Sequence, residues 1–311
     1  MRKILLFSTK IVISAVLLFL ALRKTNFSDV VARLDIGSIG WIALAILIAF
    51  LQIAFGALRW RTIAAKCGTR LTSAQALRFN LIGSFFNQAL PSSIGGDAIR
   101  IWLVRRSSNG WRKAAYSVFI DRAIGSIALA IFVVGTLPWS YQLIGDVNGR
   151  YALLLVDFVA LAGGAVFLLV GRLRWAWLSK PQTKDVYACS TIANRLIFSW
   201  PRGLMILALS LLIHFLSAVV AWSVARSIEA PVSFFQLLEL VPPVILITMI
   251  PISIAGWGVR EATMGLAFGY AGLMVSDGVN VSLLFGVVTF FVGALGGLVW
   301  VLTSEKSAVA D

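Results

Sequence analysis

Six runs of about twenty apolar residues, at 4–22, 37–58, 115–138, 151–171, 204–226 and 281–303, carry few charges. A helix of that length reaches across a hydrocarbon layer about 30 Å thick. In lipid, only helices and closed barrels satisfy every backbone hydrogen bond, and apolar runs this long select helices. The chain has 311 residues, 59% of them hydrophobic and 13% charged. A soluble domain carries about a quarter charged residues, so that class is excluded. The expectation is an all-α, polytopic integral membrane protein with about six to eight transmembrane helices, read as a single domain over 1–311.

Two further apolar stretches, 73–104 and 232–275, are broken by related decapeptides. PSSIGGDAIR at 91–100 and PISIAGWGVR at 251–260 agree at five of ten positions, and three more differ by Gly/Ala or Ile/Val exchange. Interrupted segments at matching places in two halves are the mark of a transporter binding site. The half-repeats are expected at roughly 37–171 and 204–303, joined by a polar connector at 172–203.

Charge orients the chain. Lys and Arg outnumber Asp and Glu by 27 to 13, and the excess crowds into 59–70, 105–113 and 172–203. Short basic loops mark the cytoplasmic side of a membrane protein. With 59–70 and 105–113 on one side, 73–104 must enter and leave the membrane on that side, as a re-entrant hairpin. The second interrupted segment then enters from the opposite face, which makes an inverted repeat; the alternative is a complete crossing over 232–250. The connector's Trp175, Trp177 and Trp200 beside basic residues suit a membrane interface. Arg23 and Lys24 stand where a signal peptide would have its small-residue cleavage site, so 4–22 is expected to stay as a first helix.

Several chemistries find no support. The single histidine, His214, rules out a histidine-based metal cluster within one chain, and it reads as a hydrogen-bonded interior residue. The two cysteines, Cys67 and Cys189, lie in basic segments expected to be cytoplasmic and reduced. No phosphate loop, GxGxxG, GxSxG or HExxH is present. No metal, cofactor or nucleic-acid partner is expected.

What remains are breaks and buried charges. In the first copy, Pro91 removes a backbone donor while Gly95 and Gly96 permit non-helical torsions, freeing backbone groups at membrane depth. Asn80, Asn87, Gln88, Ser92 and Ser93 add polar atoms there. A helix restarting after Gly96 would present its amide end to an anion such as a lipid phosphate. Asp97 and Arg100 then share one face. Asp121 and Arg122 stand inside an apolar helix, diverge by about a hundred degrees and need other partners; Arg100 is the candidate for Asp121 and Glu261 for Arg122. The second copy keeps Gly256, Gly258 and Arg260, and moves the acid to Glu261.

LRWR at 58–61, N-x6-N at 80–87, LPSSIGGDAIR at 90–100, DR at 121–122 and IPISIAGWGVRE at 250–261 together resemble the membrane domain of lysylphosphatidylglycerol synthase/flippase proteins, the flippase-like superfamily. The resemblance implies movement of a phospholipid or lipid-linked headgroup between leaflets of a bacterial inner membrane. On the family's pattern the site residues are Asn87, Pro91, Gly95, Gly96, Asp97, Arg100, Asp121, Arg122, Gly256, Gly258, Arg260 and Glu261, to which the polar break adds Ser93. Two-part members carry a C-terminal lipid-synthesising domain. This chain ends at Asp311 soon after its last apolar run, so translocation without synthesis, and not an enzyme, is expected. The alternatives are an intramembrane transferase acting on a lipid-linked substrate, or a non-catalytic partner of an envelope-lipid biosynthetic enzyme. Membrane lipids are the expected partners, with a second copy of the chain or such an enzyme as further ones.

Overall fold

The computed structural model describes residues 16, 19, 33–90, 94–107, 110–173, 183–250, 253 and 255–308. Most of the expected first span, together with Pro91, Ser92, Ser93, Trp175 and Trp177, lies outside the described residues.

Among the described residues the regular elements are α-helices: α1 (Ile36–Lys66), α2 (Ser73–Ala89), α3 (Gly95–Ser107), α4 (Trp111–Leu143), α5 (Val147–Val170), α6 (Lys184–Ile197), α7 (Arg202–Ser227), α8 (Phe234–Thr248), α9 (Val259–Tyr270) and α10 (Val275–Ala308). Five of them, α1, α4, α5, α7 and α10, are long and apolar enough to cross a membrane. Each is built on one of the runs read from the sequence. Helix α1 begins at Asp35, whose side chain caps the Ser38 amide while Ser38 Oγ accepts from the Asp35 amide, so both orphan donors are satisfied. It continues eight residues beyond the expected 37–58, to Lys66. The basic loop expected at 59–70 is therefore largely helix, and the chain turns only at Cys67 and Gly68, where φ is +80°.

Four of the five short helices, α2 with α3 and α8 with α9, form two hairpins. At 1.5 Å per residue, the 17 and 13 residues of α2 and α3 and the 15 and 12 of α8 and α9 are each about 18–26 Å long, short of a full crossing. In the first hairpin Asn87 Oδ1 accepts from the Gly96 amide, Gly83 abuts the Arg100 stem, and Phe79 clusters with Val104. Rising numbers on one helix meet falling numbers on the other, so the chain doubles back. In the second hairpin Gly256 lies beside Thr248, and α8 and α9 together line a cavity between Pro243, Ile247, Leu266 and Tyr270.

The order long, short, short, long thus occurs twice, in α1–α4 and in α7–α10, with α5 and α6 between. The first helices of the two sets run antiparallel. Ser38 Oγ donates to the Ser227 carbonyl at 2.6 Å, Trp41 meets Trp222 edge to face, and Gln52 Nε2 donates to the Ile213 carbonyl at 2.8 Å. Each hairpin's first helix also packs against the last long helix of the other set, α2 on α10 and α8 on α4. Antiparallel counterparts and this exchange are what an inverted pair of repeats produces.

Within the polar connector, α6 is a short helix docked on the bundle. Its Cys189, Ala193 and Leu196 are buried in a cluster with Ile63, Ile120 and Ile206. Ser190 Oγ donates to the Phe167 carbonyl, and Asn194 Nδ2 donates to the Leu168 carbonyl at 2.8 Å, so α6 satisfies carbonyls that the end of α5 leaves open. Burial pushes the Cys67 and Cys189 thiols up to about 12.

Candidate functional site

The two hairpin tips meet α4 near the midpoint of its 33 residues. Asp97, in the first turn of α3, binds Arg122, and Met249 at the end of α8 lies 3.5 Å from Ser126 Oγ. The approach of α2 to α3 is closest at Gly83 and Gly96, since a Cβ on Gly96 would collide with the Gly83 carbonyl. The absence of side chains there lets Asp97 and Arg100 reach the bundle interior.

Five charges then form one chain of contacts. Asp97 accepts from Arg122 Nε at 2.6 Å and from Arg100 at 3.2 Å; Asp121 accepts from Arg100 at 2.9 Å and from Arg59 Nε at 2.9 Å. Each carboxylate meets two guanidiniums, the condition under which charge survives at membrane depth. The Arg100 guanidinium also stacks 4.1 Å from the centre of the Trp60 ring. Arg59 reaches Ser210 Oγ at 3.1 Å, and His214 Nε2 contacts the Gly125 carbonyl at 3.0 Å. Three guanidiniums against two carboxylates leave one net positive charge. Asp97, Arg100 and Asp121 are buried, whereas the Arg122 side chain is 45% exposed, so the excess faces open space.

That space consists of two adjoining cavities. One, of about 330 Å³, is lined by Arg59, Asn80, Asn87, Gln88, Arg100 and Arg122 among others. The second, of about 660 Å³, is more apolar and lies between the hairpin tips, with Ile94, Asp97, Phe119, Met249 and Gly256 in its wall. Asn87, Gln88 and Arg122 line both. Arg100 Nε and Gln88 Oε1, one donor and one acceptor, are buried without a hydrogen-bond partner in the described structure. Such groups are what a polar ligand would satisfy.

The site expected from the sequence divides in two. Asn87, Gly95, Gly96, Asp97, Arg100, Asp121 and Arg122 come together as described, and Gly256 joins them across the larger cavity. The pairing of Arg100 with Asp121 is present; that of Arg122 with Glu261 is not. Glu261 instead accepts from Arg260 at 2.8 Å, from Ser282 Oγ at 3.1 Å and from the Gly258 amide at 2.6 Å. This neutral knot is buried, with Trp257 against the Arg260 guanidinium, and Gly258, Arg260 and Glu261 line neither cavity. The two decapeptides part company for a local reason. Ala98 is helical, but its counterpart Gly258 has φ +82°, so α9 starts at Val259, four places later in the alignment than α3. Pro91 and Ser93 lie outside the described residues.

Arg59 was missed as a site residue because it was assigned to a basic loop. A signal for it existed: Ala49, Gln52, Gly56 and Arg59 recur at helical spacing and line one wall of the smaller cavity.

The profile of the Lysylphosphatidylglycerol synthase TM region matches residues 7–297. The chain belongs to this family. Among curated proteins, UPF0104 membrane protein PH1989 of Pyrococcus horikoshii is 22% identical over 342 residues, an alignment that covers 100% of this chain and 100% of that protein. Membership in this family, with five apolar helices of spanning length, makes the chain a multi-pass membrane protein with a lipid-related role.

Proposed function

We propose that the protein moves the headgroup of a phospholipid or lipid-linked molecule between leaflets of a bacterial plasma membrane. The observation that carries this reading is the cation-excess polar cavity enclosed in an otherwise apolar bundle, with a partly exposed arginine and an unpartnered donor and acceptor in its wall. One net positive charge favours an anionic group. Arg100 and Arg122 offer forked donors suited to phosphate oxygens, and Gln88 and Asn87 offer polar contacts to a hydroxyl or amine beside it. The adjoining apolar cavity keeps the start of the acyl chains out of the polar one. The basic residues Arg105, Arg106, Arg112 and Lys113 favour a cytoplasmic position for the end of α3 and the start of α4. No step in this reading requires a covalent bond to form, and movement is passive or driven by an ion gradient.

The test is the lipid that the protein holds. Wild-type protein purified in mild detergent from its native membrane should retain one lipid class, identified by mass spectrometry, and Arg122→Gln should lose it while still eluting as a folded, monodisperse protein. A retained species whose mass is altered by incubation with the protein would instead indicate a lipid-modifying transferase. Identical lipid profiles for wild type and variant would refute the site.

A further inference from the structure

The larger cavity has a neighbour beyond the hairpin tips. Ala115 and Phe119 of α4 line it, and the same two residues line a third space of about 500 Å³ between α4 and α6, whose wall includes Trp111, Arg112, Tyr116, Asp185 and Val186. The three spaces therefore follow one another along α4, from Asp121 and Arg122 at mid-helix to Trp111 at its first residue. Side-chain character changes in step. The inner space is cationic, the middle one is apolar, and the outer one combines an exposed tryptophan with an arginine, the pairing found where a membrane meets water. Across the outer groove, Asp185 of α6 accepts from Tyr116 at 2.5 Å and lies 4.0 Å from Arg112, whose side chain is 66% exposed. An exposed pair of that kind is weak, so the contact can open without a large penalty. Phe119 is 49% exposed, and its ring leans edge to face on Phe167 of α5, 5.9 Å between centroids. It lines both the middle and the outer space.

We propose that an anionic lipid headgroup reaches the central cavity through the groove between α4 and α6, with Arg112 at the mouth and Phe119 at the junction. The occupant is a lipid with a negatively charged headgroup, because the groove leads from an arginine at the membrane interface to a cavity with excess positive charge and has an apolar wall between them. This route rests on the translocation reading, but occupancy of the groove can be measured without any movement between leaflets.

Benzoylphenylalanine is placed singly at Val186, at Phe119 and, as a control, at Leu155, an exposed position on α5. Each protein is reconstituted in vesicles of phosphatidylethanolamine and phosphatidylglycerol in a 4:1 ratio, irradiated, and its lipid adducts are weighed. Position 155 should capture the two lipids in the bulk ratio. Positions 186 and 119 should capture phosphatidylglycerol about five-fold in excess of bulk, the enrichment that one basic residue gives near anionic lipid, and Arg112→Gln should bring the value at 186 back towards bulk. Capture in the bulk ratio at 119, or enrichment at 186 that persists in Arg112→Gln, would overturn the proposal. Leaflet movement with bulk-ratio capture would overturn the route alone; enriched capture without leaflet movement would overturn the translocation reading and leave the groove as a lipid site.

Discussion

Replacing Asp121 by alanine removes the carboxylate shared by Arg59 and Arg100, each 2.9 Å away. Two charge-assisted hydrogen bonds are lost, worth about 1.5–3 kcal/mol apiece. Independently, stripping one partner from a buried ion pair costs about 3–5 kcal/mol, because the remaining charge stays out of water. The two routes overlap near 4 kcal/mol, eased slightly by the contacts that Arg59 keeps to Ser210 and Arg100 to Asp97. For a chain this large, about 2 °C of melting temperature per kcal/mol translates that into a fall of roughly 8 °C. Thermal unfolding in detergent, followed by loss of the monodisperse peak in size-exclusion chromatography, reads it directly. Asp121→Asn, which still offers one acceptor, should lose about half as much. In Arg59→Gln/Asp121→Asn the effects should be non-additive by about 1–3 kcal/mol. A melting temperature for Asp121→Ala within about 2 °C of wild type, or full additivity in the double variant, would refute the shared-carboxylate geometry.

Other consequences are as direct. Gly258→Ala puts a side chain at φ +82° and should destabilise by about 1–2 kcal/mol, whereas Ala98→Gly at the aligned helical position of the first copy should cost about 1 kcal/mol by helix propensity alone; thermal unfolding of both variants checks the contrast. Asn194→Ala leaves the Leu168 carbonyl only the long 3.5 Å contact from Ser190 Oγ, and a loss of about 1–2 kcal/mol should accompany faster hydrogen exchange along α6 with α1 and α7 unchanged. Burial pushes the thiols of Cys67 and Cys189 from 9.0 to about 12. Since the folded-state values lie above the unfolded one, the stability this gives is complete below pH 9 and declines as pH rises towards 12. Native protein at pH 8 should accordingly label slowly with maleimide and denatured protein quickly; fast labelling of the native chain would contradict the burial.

Hydropathy made the five long helices legible, because lipid imposes a length and a composition that a sequence displays directly. The breaks were legible for the opposite reason: Pro, Ser and Gly at 91–96, and Pro, Ser and Gly at the aligned 251–256, interrupt that pattern in register with each other. Asp121 and Arg122 announced themselves as charges within an apolar run, and Arg100 was within reach by helix spacing. Partner choice was less visible. Whether Arg122 meets Asp97 or Glu261 depends on how α3 crosses α4, which local pattern does not encode. Neighbouring residues on a helix ordinarily diverge, yet Glu261 turns back to cap the Gly258 amide and so meets Arg260 beside it. Arg59 sat in a basic stretch that resembled a loop, although its helical spacing from Gln52 and Gly56 continued the face of α1. Helix α6 was hidden for a related reason. Its narrow apolar face and its contacts to the open carbonyls of α5 both depend on docking against the bundle, which a polar stretch of sequence does not display.

The central claim is that lipid headgroups cross through the arginine-lined cavity. The protein is reconstituted with lipids extracted from its native membrane, and the accessibility of each headgroup class to a membrane-impermeant reagent is followed in time for wild type, Arg122→Lys and Arg122→Gln. The account predicts that one class equilibrates between leaflets with wild type, more slowly with Arg122→Lys, and no faster than in protein-free vesicles with Arg122→Gln. Equal rates for the three proteins would contradict it.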